Sequence, residues 1–224
     1  MSHRLMLASA LVLACSIPAS LALAADPKPT AAAPTAAAGT VEFDFTDMKG
    51  VNGVSFFADS ALEPIVGFGG GVAGKVMWNP TDPKGVTGEI TIPTKSLKTP
   101  NKGMDDAMYG ADWLNAEKNP TISVKIKSIK EAKPGTNGVM DLTAVVDLSL
   151  AGVTKEMTIP VAASYMPGRL ADRTGGRVKG DLLVLRTSFS LNRSDFGIQA
   201  GQIADVVGEK IEIRAAIAGA RKEG

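Results

Sequence analysis

The sequence predicts an all-β domain whose sheet closes on itself, either as two stacked layers or as a barrel. Three observations carry this. Segment after segment alternates apolar and polar residues at period two. Clusters of Gly, Pro, Asn and Asp separate those segments. Only one stretch, Asn101 to Ala116, has helical spacing, and it lacks the length of a core helix bundle.

The elements follow in chain order. Val41, Phe43 and Phe45 alternate at the start of the folded part. Val76 and Trp78 share one side of a short strand, and Lys75 and Met77 the other. Ile90 and Ile92 mark the next. The helical stretch places Met104, Ala107, Met108, Ala111 and Leu114 on one face, with Asp105, Asp106 and Asp112 opposite. Pro120 ends it. In TISVKIKSI, Ile122, Val124 and Ile126 face one way. In VMDLTAVVDLSL, Met140, Leu142, Ala144, Val146, Leu148 and Leu150 share a face. The very short Ala151-Gly152 link predicts an antiparallel hairpin with Met157, Ile159, Val161 and Ala163. Leu183, Leu185, Phe189 and Leu191 continue the pattern, as do Ile211, Ile213, Ala215 and Ile217. About eight strands with one wet face need closure to remove exposed edges.

Residues 1–24, MSHRLMLASALVLACSIPASLALA, read as an export signal: Arg4, an apolar run, then Ala22-Leu23-Ala24 as a cleavage pattern. The apolar run is too short to span a bilayer. Val12-Leu13-Ala14-Cys15 partly matches a lipoprotein box, which makes lipidation at Cys15 the alternative. Residues 25–39, ADPKPTAAAPTAAAG, hold no large apolar side chain and predict an Ala/Pro-rich tail or linker. The domain then runs over 40–219. This places the mature chain in the periplasm or outside the cell.

Cleavage after Ala24 removes His3 and Cys15, the only histidine and cysteine. That excludes Ser-His-Asp and Cys-His catalysis, Cys/His zinc sites and disulfides. No cofactor and no metal is expected. Lys and Arg total 24 against 23 acidic residues, so losing Arg4 leaves 23 of each. No basic block invites nucleic acid.

Two stretches spell nucleotide-site letters: GGGVAGKV at 69–76 and Asp195-Phe196-Gly197. A phosphate loop must lead into a helix whose amides hold the anion. Here the glycines lead into the alternating KVMW, so the run reads as a bend at a strand entrance.

Three segments resemble one known family. ADWLNAEKNPTISVKIKSI (111–129), LAGVTKEMTIPVAA (150–163) and SLNRSDFGI (190–198) are similar, in order and spacing, to segments of the YceI-like family. The resemblance implies an extended eight-stranded antiparallel lipocalin-like barrel with one short helical segment. It also implies an apolar lumen for an isoprenoid lipid such as a polyprenyl or quinone tail, with no catalytic residues. Met108 stands where the family's helix usually carries histidine, and 45–71 departs from the usual pattern.

The candidate lumen residues are Phe43, Phe45, Val76, Trp78, Ile90, Ile122, Val124, Met140, Leu142, Leu148, Met157, Ile159, Phe189 and Leu191. Arg193 follows a strand, where it either meets a polar head group or fixes the chain reversal. The leading expectation is an exported binding protein for an isoprenoid lipid, with no transmembrane segment; a homodimer is compatible with the sequence. The alternatives are a structural or stress-related envelope protein with a filled barrel, and a hydrolase built on Asp105, Asp106 or Asp195.

Overall fold

A computed structural model describes residues 39–47 and 49–223. The expected signal, tail and Cys15 fall outside them, save Gly39. Ten strands occur in the described residues: β1 Val41–Asp44, β2 Gly53–Ala58, β3 Ile65–Gly69, β4 Ala73–Trp78, β5 Thr87–Pro93, β6 Thr121–Pro134, β7 Val139–Leu150, β8 Val153–Met166, β9 Gly180–Asn192 and β10 Lys210–Lys222. Two α-helices occur among the described residues, α1 Lys102–Tyr109 and the single turn α2 Leu170–Thr174, along with four short 3-10 turns.

Eight strands close an antiparallel barrel in the order β1-β4-β5-β6-β7-β8-β9-β10, with β1 pairing back to β10 at Asp44↔Ala220. The extra hairpin β2–β3 also joins β10. β10 therefore divides its free edge: Ala220 meets β1, while Ile211–Ala216 pair with β2. The side chain of Asn52 stitches this junction. Its Nδ2 donates to the Phe45 and Ala218 carbonyls at 3.2 and 3.1 Å, and its Oδ1 accepts from the Ala218 amide at 2.9 Å. A buried amide side chain thus supplies the ladder bonds that the divided wall lacks.

The β7–β8 hairpin turns through Ala151 (φ 51°) and Gly152 (φ 80°). Positive φ at both central residues gives a turn whose twist matches the flanking strands. Two register shifts in β6, between Ile126 and Ser128 and between Ile129 and Glu131, bring Ile129 inward after Ile126.

The helix is shorter than its periodicity predicts. Asn101 caps α1 by accepting from the Gly103 and Met104 amides, and the helix stops at Tyr109. From Gly110 onward the chain folds into turns, with the Leu114 amide donating to Met108 O and the Ala116 amide to Tyr109 O. Those turns bury Leu114, whereas Ala111 is exposed. Asp105 is a second correction: expected on the wet face, it is buried. Residues 45–71, glycine-rich in sequence, supply the unexpected hairpin β2–β3.

Candidate functional site: an apolar lumen

The barrel encloses a cavity of about 480 Å³, within the range of roughly 300–1,000 Å³ usual for ligand pockets. It runs from α1 and the loops beside it, past Leu148 and Ile159, to Trp78 and Val86. The only charged or hydroxyl side chains on its described wall are Glu63, Thr99, Thr187 and Arg193.

Of the candidate lumen residues, Trp78, Ile90, Ile122, Val124, Leu142, Leu148, Ile159, Phe189, Leu191 and Arg193 border the cavity. Phe43, Phe45, Val76, Met140 and Met157 do not. Phe43 pairs with Val76 across β1–β4 and meets Tyr165 edge-on, ring centroids 6.0 Å apart, so this cluster stoppers the end away from α1. Phe45 packs under Gly219, where a Cβ would come within 2.5 Å of its ring. Met140 lies opposite Ala163, and Met157 sits beside Val146 within the wall. Alternation marks the inward face but not the height along the barrel at which packing ends and the cavity begins.

Further residues line the lumen beyond those candidates. Ile211, Ile213, Ala215 and Ile217 extend the wall along β10, and Met104, Ala107 and Met108 bring in α1. Val54, Phe56 and Ala58 of β2 alternate at period two, a signal masked by the glycines around them.

α1 is fastened to the strand-end segment before it. The Tyr109 hydroxyl donates to the carbonyls of Leu97 and, at 3.2 Å, Lys95. Asp105 accepts from the Thr99 amide at 2.6 Å and its hydroxyl at 3.0 Å, with Lys98 Nζ 3.4 Å away. These bonds, the Thr99 amide foremost, outweigh burial and hold the Asp105 carboxyl below the usual carboxylate range. A carboxylate with a lowered folded-state pKa contributes stability above its unfolded pKa and loses it as pH falls through the folded value. Asp105→Asn is therefore expected to lower the urea midpoint at pH 7, and the gap to wild type should shrink as pH falls below about 4.

Arg193 is 2% exposed. Its Nη1 donates to Ile198 O at 2.9 Å and to Gln199 O; its Nη2 donates to Gln202 O and, at 3.4 Å, to Val207 O. Glu209 lies 3.7 Å from Nη2 and accepts from the Ser194 amide at 3.0 Å. Of the two expected roles, this geometry is that of the chain reversal: one planar cation gathers the carbonyls of a whole loop. Asp195-Phe196-Gly197 belongs to the same turn, with Gly197 at φ 72°.

The carboxylates do not converge. Asp106 pairs with Lys102 at the surface, Asp105 is engaged by Thr99 and Lys98, and Asp195 is exposed. Gly69–Gly71 lead into strand β4, not a helix.

A family model for the YceI-like domain matches residues 35–218. The chain belongs to the YceI-like family. Curated relatives include a UPF0312 protein from Pseudomonas aeruginosa (strain LESB58), 33% identical over 112 residues. That match covers 50% of this chain and 51% of the relative, so the chain spans about half the length of the curated relatives it matches. Among solved structures, Burkholderia cenocepacia BcnA superposes with a TM-score of 0.59 at 18% identity, covering 75% of this chain and 95% of that one. A polyisoprenoid binding domain from Saccharophagus degradans, implicated in plant cell wall breakdown, gives 0.57 at 9% identity, covering 80% and 97%. The YceI-like barrel of this chain thus shares its fold with both.

Proposed function

We propose that this YceI-like chain is an exported, non-catalytic carrier that holds the apolar tail of an isoprenoid-type lipid in its lumen. The observation that carries the reading is the cavity itself: a continuous void walled by aliphatic and aromatic side chains. Each CH₂ moved from water into such a void gains about 0.8 kcal/mol, so a long hydrocarbon tail binds without many polar contacts. The fold shared with a polyisoprenoid binding domain supports the same ligand class, and the export pattern of residues 1–24 supports a site of action outside the cytoplasm. The scattered carboxylates support binding rather than hydrolysis.

Organic extraction and mass spectrometry of protein purified from an exporting host tests this. The expected result is a polyprenyl-type lipid in near-stoichiometric amount. Protein that is empty, and stays empty after incubation with polyprenyl lipid in detergent, contradicts it.

A further inference from the structure

The open end of the barrel carries a feature that lipid storage alone does not require. Two loops, residues 59–64 and 199–208, lie beside the lumen opening and are fastened together: the Leu62 amide donates to Asp205 O at 3.0 Å and the Ser60 hydroxyl to Val206 O at 2.8 Å. They leave large apolar side chains in water, with Leu62 69%, Ile203 46% and Val206 36% exposed. Ile203 and Val206 also border the cavity, so two of these three exposed side chains belong to the lumen wall as well. Ile203 holds this position at φ 46°, a left-handed conformation that a β-branched residue rarely adopts.

We infer that this rim is a docking surface for a lipid bilayer, and specifically for an electrically neutral one. The inference rests on the carrier reading for its purpose: an isoprenoid tail leaves a membrane without crossing water only if the opening sits on the membrane. The charges select the occupant. The two loops carry Asp59, Glu63 and Asp205 and no lysine or arginine, and the lysines across the opening are paired, Lys98 with Asp105 and Lys102 with Asp106. Such loops repel anionic headgroups and offer no basic patch of their own. A second copy seated mouth to mouth would oppose the same acidic groups, and a protein partner there would seal the opening. Apolar insertion into zwitterionic lipid satisfies both the exposed side chains and the charge.

The test uses the chain as isolated from an exporting host, with identical N-termini in all variants, and flotation with phosphatidylcholine vesicles that contain no isoprenoid. Wild type is expected to float with the vesicles. Leu62→Asp/Ile203→Asp is expected to lower partitioning at least about tenfold, and Leu62→Ser, the mildest change, to lower it in the same direction. Val51→Ser, which removes an equally exposed apolar side chain (66%) outside both loops, is expected to leave it unchanged. Circular dichroism of each variant confirms the fold. Added phosphatidylglycerol should weaken wild-type binding. Transfer of a polyprenyl lipid from vesicles should slow with the rim variants, while loading from detergent should not. Wild type that ignores phosphatidylcholine, Leu62→Ser binding equal to wild type, or binding that needs anionic lipid each overturns the rim. Rim-dependent flotation by a protein that accepts no polyprenyl lipid from detergent sustains the rim and sinks the carrier reading instead.

Discussion

Arg193→Leu is expected to lower the free energy of unfolding by about 3–5 kcal/mol, the scale seen when one member of a buried charged network is removed. The guanidinium donates to the carbonyls of Ile198, Gln199, Gln202 and Val207 from a position shielded from water. Leucine fills part of the volume but leaves the buried Ile198 carbonyl and the part-buried carbonyls of Gln199, Gln202 and Val207 without this donor; a buried orphan costs about 1–3 kcal/mol, and those open to water cost less. Arg193→Lys is expected to recover little, because a compact ammonium cannot span carbonyls that a planar fork reaches at once. The measurement is the urea midpoint, joined to amide exchange over residues 194–207, which should accelerate ahead of the rest of the barrel. A loss below about 1 kcal/mol would show that solvent or a neighbouring donor replaces the guanidinium.

Filling the lumen is expected to abolish cargo uptake without harming the fold. Ala144 on β7 and Ala215 on β10 both border the cavity. In a barrel packed solid, Ala144→Phe/Ala215→Phe would overpack the interior and cost about 1–3 kcal/mol per site. In a barrel with an open bore, the rings enter existing space, bury additional apolar surface and leave stability unchanged or higher. The expected pair of results is at least a tenfold fall in bound lipid, about 1.4 kcal/mol or more of binding free energy, together with an unchanged or raised melting temperature. Retained lipid with a lowered melting temperature would place the cargo elsewhere.

The strands were legible because each leaves one face wet. Ile122, Val124, Leu142, Leu148, Ile159 and Leu191 alternate with polar neighbours, and the barrel puts them on one surface. The hairpin β2–β3 was not legible. Gly67 and Gly69 occupy its inward positions, where a Cβ would collide with Phe56 and Leu97, so close packing removed the apolar residues that would have signalled a strand. The helix was overextended because turns after Gly110 bury Leu114 at a spacing that mimics another helical turn. Asp105 read as a wet-face residue because its partners, Thr99 and Lys98, lie in the segment before the helix and fold back over it. The partners of Arg193 are backbone carbonyls up to fourteen residues away, and carbonyls carry no sequence signal. Phe43, Phe45 and Val76 face inward as their alternation predicts, yet they form the stopper, because period two fixes direction and not depth.

The most direct measurement is X-ray diffraction from the chain crystallised after loading with a polyprenyl lipid. A continuous tube of density entering beside Met104 and Met108, passing Leu148 and Ile159 and ending near Trp78 is the predicted result. A bore closed by collapsed side chains, or the lipid lying on the outer surface with the lumen unoccupied, would contradict the account.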